Sequence, residues 1–172
     1  MFVLNVEGAI YKEGKWLIIE RSSKEEHAGG LLSLVGGTVE NEGFSKDLLE
    51  RTLKRELFEE VGITIKEEVT YVRNTSFVLP DGREVLDLVF YCEIASGEPF
   101  AKSPDEVAVV YWMTEEEIIA HPYAPLWLRE SIEEAEHTIR KIQFNLNDTA
   151  LYRWLFFCLK KEICVDLANK LM

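Results

Sequence analysis

The spacing of apolar and polar residues predicts that the first part of the chain forms β-strands. Residues 2–11 alternate loosely, Glu13-Gly14 interrupts them, and an apolar run follows at residues 16–20, which together predict a β-hairpin. A short apolar run at residues 31–35 predicts a buried strand that leads into Gly36-Gly37. A polar loop from Thr38 to Phe44 is expected to follow.

A change of period after this loop predicts a helix. Ser45 is the expected N-cap, the helix should continue to about Val61, and Gly62 supplies a left-handed stop. Apolar residues that recur every four positions mark the face that should be buried: Leu49, Leu53, Leu57 and Val61.

The remaining pattern continues the mixture of strands and helices. Strands are predicted at 63–79 and 85–94 around the turn Pro80–Arg83, then at Glu106–Met113, with a brief helix from Thr114 and longer helices at Leu126–Arg140 and Asp148–Leu171. We therefore predict an α/β protein with helices added at its C-terminus. Residues 1–172 are expected to form one domain, with 121–172 as a helical extension packed on it.

Composition narrows the class of protein. The formal charge of −12, with no basic stripe, argues against a nucleic-acid partner. No apolar run approaches the length of a membrane span, so no membrane partner is expected. Cys92, Cys158 and Cys164 lack metal-like spacing and lie in apolar runs, which favours reduced thiols in a cytoplasmic protein.

The most informative segment is Arg55-Glu56-Leu57-Phe58-Glu59-Glu60-Val61-Gly62-Ile63, at the end of the predicted helix. Glu56, Glu59 and Glu60 are three and four residues apart, so their carboxylates project from one face. Like charges repel, and a divalent cation such as Mg²⁺ would relieve that repulsion because it prefers carboxylate oxygens. A solvated glutamate face is the simpler explanation of Glu59-Glu60 alone.

The complete segment from Gly36 to Ile63 resembles the signature of the Nudix hydrolases. The resemblance implies an α/β/α sandwich with a mixed sheet. It also implies hydrolysis, with Mg²⁺ or Mn²⁺, of the pyrophosphate bond in a nucleoside diphosphate linked to another moiety. The small-molecule substrate would then be a nucleotide or a nucleotide derivative.

The resemblance also assigns roles by position. Glu56, Glu59 and Glu60 match the glutamates that bind the metal, and Glu59 is also taken as catalytic. Gly37 matches the glycine whose carbonyl approaches the metal, and Arg55 matches the arginine that orients a neighbouring carboxylate.

The loop before the helix departs from the family pattern. Seventeen residues separate Gly37 from Arg55, four more than usual. The position of the first signature glutamate is therefore taken either by Asp47, counting back from Arg55, or by Glu42, reaching in from the longer loop. A longer surface loop costs little free energy, so we expect activity to survive.

Residues outside the signature are less specific. Asp105 and Glu106, before a predicted strand, lie where relatives often bring a general base, and we favour Glu106 as catalytic. The sequence identifies no substrate-binding residue. Aromatic side chains that could contact a base are more typical of a protein core: Tyr71, Phe77, Trp112 and Trp154.

Two other functions are compatible with the pattern. The chain could be a Nudix-like module that senses a nucleotide without catalysis, although a binder has no need of crowded carboxylates. It could also be an interaction protein, because the last predicted helix is apolar on more than one face and would suit a homodimer contact. We favour the hydrolase.

Overall fold

A computed structural model describes residues 2–144 of the chain. Nine strands and two short-to-medium helices within this part follow the order β1 (Val3–Lys12), β2 (Lys15–Arg21), β3 (Leu32–Ser33), β4 (Val35–Thr38), α1 (Leu48–Val61), β5 (Thr64–Ile65), β6 (Thr70–Val78), β7 (Glu84–Cys92), β8 (Ile94–Ser96), β9 (Val107–Met113) and α2 (Glu115–Ala120). Residues 126–144 are also helical, here α3. Residues up to Ala135 form one compact unit, and a second begins at Glu136.

The main sheet is mixed. Its strand order is β3-β2-β1-β7-β6, with β4 added beside β1 and β9 beside β2. The central pair, β1 and β7, is parallel, from Val3 opposite Val85 to Ile10 opposite Cys92. The other pairs in this sheet are antiparallel. The predicted α/β class with a mixed sheet is confirmed.

Helix α1 packs on one face of this sheet. A side chain at Gly8 of β1 would press on Leu53 and Leu57 of the helix, so the small residue allows helix and strand to approach closely. Leu53, Leu57 and Val61 are fully buried, as their four-residue spacing predicted, whereas Leu49, the first residue of the predicted face, is only partly buried. Gly62 ends the helix with a φ of 74°, which confirms the predicted stop.

The opposite face carries small and branched residues. Ala9 of β1 and Val89 of β7 alternate with the residues that face α1, and both are buried. Leu128 and Ile132 of α3 are buried in the same unit, and Glu130 forms an ion pair with Arg73 of β6 at 3.0 Å. No helix in residues 2–144 is long and apolar enough to cross a membrane.

Local structure differs from the prediction at three places. The N-cap of α1 is Asp47, with φ 53°, and not Ser45, whose hydroxyl oxygen accepts a hydrogen bond from Arg51 at 3.1 Å. The strand predicted at 31–35 is two strands, because β3 pairs with β2 while β4 pairs with β1. The strand predicted at 63–79 is interrupted at residues 66–69, after β5 has paired with β8.

The other predictions are confirmed or concern residues outside 2–144. The β1–β2 hairpin, the turn between β6 and β7, and strand β9 are confirmed. The brief helix is α2, and Thr114 caps it by accepting a hydrogen bond from the amide of Glu117. Cys92 is a buried free thiol. The predicted helix at Asp148–Leu171, with Trp154, Cys158 and Cys164, lies beyond the described residues, so its packing and the homodimer remain predictions.

Candidate active site

The glutamates of α1 differ in how deeply they are buried. Glu56 and Glu60 lie beside the apolar stripe and are only 8% and 5% exposed, whereas Glu59 is exposed to solvent. Their positions follow from helical geometry, because residues 56 and 60 are four apart and each is next to a core residue of the stripe. The helix thus anchors two carboxylates at the edge of the core and holds a third in solvent.

Gly37 leaves the space that Glu56 occupies. Gly36 and Gly37 belong to β4, where they pair with Glu7 and Val6 of β1. A Cβ atom added to Gly37 would overlap the carboxylate of Glu56. The two glycines are therefore strand residues required for close packing, and Gly37 brings the backbone of β4 against the acidic face of α1.

Arg55 binds two of the three glutamates. Its guanidinium forms ion pairs with Glu56 at 2.8 Å and with Glu59 at 3.2 Å, and it donates a hydrogen bond to the carbonyl of Thr38 at 3.5 Å. Burial works against the charge of Arg55, but the carboxylates of Glu56 and Glu59 outweigh it and raise the pKa of the guanidinium. The predicted role of Arg55 in orienting a carboxylate stays a prediction, and these two ion pairs are the contacts on which it would depend.

Burial and repulsion between like charges set the protonation of these acids. Burial raises the pKa of Glu60 to about 8, with further contributions from the charges of Glu56 and Glu106. Burial also raises the pKa of Glu56; the charge of Arg55 opposes this shift, while Glu59 and Glu106 add to it. A cation bound here would remove the repulsion that these shifts report.

Glu106 and Asp105 are adjacent in sequence but have different surroundings. Asp105 forms an exposed ion pair with Lys24 at 2.6 Å, and that hydrogen bond lowers the pKa of Asp105. The charge of Glu106 instead acts on both Glu56 and Glu60. The charge interactions therefore favour Glu106 over Asp105 as the acid close to the site, and its role as general base stays a prediction.

The two candidates for the first signature glutamate lie at the other end of α1. Asp47 is exposed at the N-cap, and Glu42 forms an ion pair with Arg51 in the first turns of the helix. Asp47 is eight residues before Arg55, which corresponds to about 12 Å along a helix. The choice between them remains a prediction.

Two acids of the central strands, Glu7 and Asp87, were not singled out in the sequence. Burial, followed by the charge of Asp87, raises the pKa of Glu7 well above its usual value, with a further contribution from Glu60 and an opposing one from Arg21. Asp87 is 5% exposed and accepts a hydrogen bond from Asn5 at 2.7 Å. Burial raises the pKa of Asp87 to about 6. A single acid inside the apolar run of residues 85–90 was the available signal.

Arg21 stands at the end of β2, beside this group. Its guanidinium forms an ion pair with Glu25 at 2.6 Å and donates a hydrogen bond to the carbonyl of His27 at 3.2 Å. Its charge lowers the pKa of both Glu7 and Glu60. Arg21 therefore supplies a positive charge close to Glu7 and Glu60.

The three aromatic candidates within residues 2–144 have different surroundings. Tyr71 is half-exposed and contacts Phe90 edge-on, with ring centres 6.1 Å apart. Trp112 is partly buried against the core, as is typical of a structural aromatic residue, and Phe77 is 46% exposed on β6. The substrate-binding residues stay unassigned.

The cluster of carboxylates formed by Glu56, Glu59 and Glu60 has the chemistry that a hard divalent cation prefers. Its donors are oxygens, and two of the acids are desolvated close to other negative charges, as a metal site requires. In residues 2–144, no three His, Cys, Asp or Glu side chains are already arranged to hold an ion. Glu56 and Glu59 are instead paired with Arg55, Glu56 through its Oε1 atom and Glu59 through its Oε2 atom.

Comparison with known proteins supports the resemblance. A family model described as the NUDIX domain matches residues 1–135. No curated protein sequence matches the chain. Three solved structures illustrate the shared fold.

The first is a MutT NUDIX hydrolase from Burkholderia pseudomallei, 24% identical, which covers 78% of this chain and 98% of its own with a TM-score of 0.66. A MutT protein from Methanosarcina mazei Go1 is 23% identical over 80% of this chain and 94% of its own, with a TM-score of 0.67. The NUDIX domain of Shewanella oneidensis NrtR, complexed with ADP ribose, is 17% identical over 78% of this chain and 88% of its own, with a TM-score of 0.60.

Proposed function

Because the chain belongs to the Nudix hydrolase family, whose members act on nucleoside diphosphate derivatives, we propose that it cleaves the pyrophosphate bond of a nucleotide or nucleotide derivative with the help of Mg²⁺ or Mn²⁺. The observation that carries the proposal is the set of acids around α1. Glu56 and Glu60 are buried at the rim of the core, Glu59 adjoins them, and Gly37 packs against Glu56.

In this proposal Glu56, Glu59, Glu60 and the carbonyl of Gly37 would hold the cation. When bound, the cation supplies charge neutralisation at the phosphate oxygens and makes water easier to deprotonate. Arg55 keeps the side chains of Glu56 and Glu59 in a fixed orientation through its two ion pairs. These contacts limit the rotamers that the carboxylates can adopt before a ligand arrives.

Glu106 is the proposed general base. It accepts the proton of the attacking water, so that the new P–O bond forms as the bridging oxygen leaves with its electron pair. Three features support this role: its charge acts on Glu56 and Glu60, its side chain is exposed, and the neighbouring Asp105 is engaged by Lys24. Arg21 adds a positive charge that favours the ionised form of Glu60.

The substrate is proposed only as a class. The NUDIX domain from Shewanella oneidensis was solved with ADP ribose, so this compound belongs in a test panel. We also propose a cytoplasmic location with a small-molecule partner, which is in keeping with the buried thiol of Cys92. Sensing without catalysis is the alternative, and turnover separates the two.

The test is a hydrolysis screen of the full-length protein. Nucleoside triphosphates, ADP-ribose, NADH, dinucleoside polyphosphates, coenzyme A and nucleotide sugars are incubated with Mg²⁺, with Mn²⁺ or with EDTA, in water enriched in ¹⁸O. We expect cleavage of at least one compound, only when the metal is present, with one ¹⁸O atom in a phosphate product.

The test variant is Glu59→Gln, which removes one carboxylate that is exposed and therefore has little influence on folding. We expect it to lower turnover by about 100-fold, since metal stabilisation of charge is worth several kcal/mol. Binding of a panel compound without turnover of any would favour the sensing module instead.

A further inference from the structure

We propose that Lys102 is a positioning residue of this hydrolase: it fastens the segment Phe100–Ser103 to the C-terminal end of α1 and thereby holds Glu106 opposite Glu56 and Glu60. The inference deepens the proposed function and rests on it for the role of Glu106. Lys102 lies outside the signature, and it was not among the residues singled out in the sequence.

The segment Phe100–Ser103 is joined to α1 by backbone hydrogen bonds. The amides of Lys102 and Ser103 donate to the carbonyl of Glu60 at 2.9 and 3.3 Å, and the amide of Phe100 donates to the carbonyl of Val61 at 3.1 Å. The last carbonyls of a helix have no partner within the helix, so these bonds satisfy groups that would otherwise need water. The same residue, Glu60, thus presents its side chain to the acidic site and its carbonyl to this segment.

The side chain of Lys102 adds two further contacts to the same helix end. Its Nζ atom donates a hydrogen bond to the carbonyl of Phe58 at 2.8 Å and lies 3.5 Å from the centre of the Phe58 ring. The last turn of α1 contains no basic residue of its own. Lys102 therefore supplies, from another part of the chain, the positive charge that favours the negative end of the helix dipole.

A short turn connects this attachment to Glu106. The amides of Glu106 and Val107 both donate to the carbonyl of Ser103, at 3.0 and 2.8 Å, and β9 begins at Val107. On its other side, the carbonyl of Glu106 accepts a hydrogen bond from the amide of Ser22 at 2.8 Å. The backbone at Glu106 is thus fixed between α1 and the residue that follows β2.

The hydrogen bonds follow one another along the chain, so the attachment sets the position of Glu106. The amides of Lys102 and Ser103 are bonded to the carbonyl of Glu60, and the carbonyl of Ser103 is bonded to the amide of Glu106. Loosening Lys102 from the helix end would therefore shift the backbone at Glu106. Displacement of a catalytic group by about 1 Å can cost about 100-fold in rate.

The test compares three variants. Lys102→Met keeps the methylene stem but removes the ammonium, Lys102→Arg keeps a cation over Phe58, and Lys66→Met is the control, because Lys66 is an exposed lysine that pairs with Glu93. With the panel compound that the wild type cleaves fastest, we expect Lys102→Met to lower kcat by about 10-fold or more. We expect KM to change less than threefold, Lys102→Arg to recover most of kcat, and Lys66→Met to match the wild type.

A double-mutant cycle separates positioning from a purely structural role. If Lys102 acts through Glu106, adding Lys102→Met to Glu106→Gln should cause no further loss of kcat. Independent, multiplicative losses in the double variant would overturn the inference while leaving the hydrolase proposal intact. Absence of turnover by the wild type on the whole panel would instead refute the proposed function.

A readout without substrate tests the attachment itself. Hydrogen exchange, followed by mass spectrometry of the full chain, should show faster exchange at the amides of Lys102 and Ser103 in Lys102→Met than in the wild type or Lys66→Met. Exchange in the core strands β1 and β7 should be unchanged. Unaltered protection of residues 100–106 would overturn the inference whatever the kinetics show.

Discussion

Carboxylates in this molecule occupy two contrasting regions. The inner carboxylates, Glu7, Glu56, Glu60 and Asp87, all have raised pKa values because of burial. The outer carboxylates, Glu67, Glu93 and Asp105, are exposed and paired with Lys54, Lys66 and Lys24. The same chemical group is therefore costly to ionise in one region and easily accommodated in the other.

This difference indicates which acids serve function. An exposed ion pair contributes little to stability, so the outer carboxylates are readily explained by solubility. A buried carboxylate whose charge is only partly balanced by a cationic partner destabilises the fold at neutral pH. An apolar residue at such a position would cost less folding free energy. A bound cation would explain why ionisable side chains occupy the positions of Glu56 and Glu60, where they lower the stability of the fold.

The largest contrast is expected in catalysis. Glu60→Gln removes an inner carboxylate and should lower kcat/KM by about 100-fold or more, because charge stabilisation by a metal is worth several kcal/mol. Glu67→Gln removes an outer carboxylate and should leave kcat/KM unchanged. Steady-state kinetics with the best panel substrate provide the comparison. Equal effects of the two substitutions would contradict the distinction between the regions.

The adjacent residues Asp105 and Glu106 allow a second comparison of a carboxylate that serves the site with one that forms only an exposed ion pair. Glu106→Gln should lower kcat by about 100-fold, the lower range for loss of a general base. Asp105→Asn should have no measurable effect on kcat, since its carboxylate faces Lys24 and solvent. If Asp105→Asn were the more damaging change, the assignment of the base would be wrong.

Stability should respond in the opposite direction to activity. The folded-state pKa of Glu60 is about 8, above its ordinary value of 4.5, so its contribution to stability is full below pH 4.5 and is lost as the pH rises through 8. Without metal, Glu60→Gln should therefore stabilise the protein at pH 8, by about 1–3 kcal/mol, and have little effect at pH 4.5. Urea unfolding in EDTA at the two pH values measures this. If Glu60→Gln were less stable than the wild type at pH 8, the buried carboxylate of Glu60 would not be destabilising.

A smaller increase in the free energy of unfolding is expected when the carboxylate of Asp87 is removed. Its pKa rises from 3.8 to about 6 on folding, so the cost of ionisation develops as the pH increases from 4 to 6. Asp87→Asn keeps an acceptor for Asn5 and should stabilise the fold by about 1 kcal/mol above pH 6. Glu84→Gln, at the exposed start of β7, is the matched control. A pH-independent difference between Asp87→Asn and the wild type would contradict the account.

Local patterns in the sequence predicted the central helix well. The four-residue recurrence of Leu53, Leu57 and Val61 fixed which face of α1 is buried, and therefore where Glu56 and Glu60 lie. Gly62 correctly marked the end of the helix, because a left-handed residue there is a local requirement. The fold class followed from the same signals together with the family resemblance.

Features that depend on distant pairing were not accessible in this way. Glu7 and Asp87 are brought together by the parallel pairing of β1 with β7, across about eighty residues of sequence. The family resemblance placed both Gly37 and Glu56 at the metal. Their direct contact depends on the pairing of β4 with β1, which no local signal at Gly36-Gly37 indicated. Ser45 was a reasonable N-cap by residue type, but Arg51 engages its hydroxyl, and the chain turns at Asp47 instead.

Calorimetric titration of metal-free protein with Mn²⁺, at pH 8, is the most direct test of the central claim that the glutamate face of α1 holds a divalent cation. We predict measurable binding by the wild type, strengthened by a panel nucleotide, and at least about 10-fold weaker binding by Glu59→Gln and Glu60→Gln. Two results would contradict the account: no Mn²⁺ binding by the wild type with nucleotide present, or binding by both variants as tight as that of the wild type.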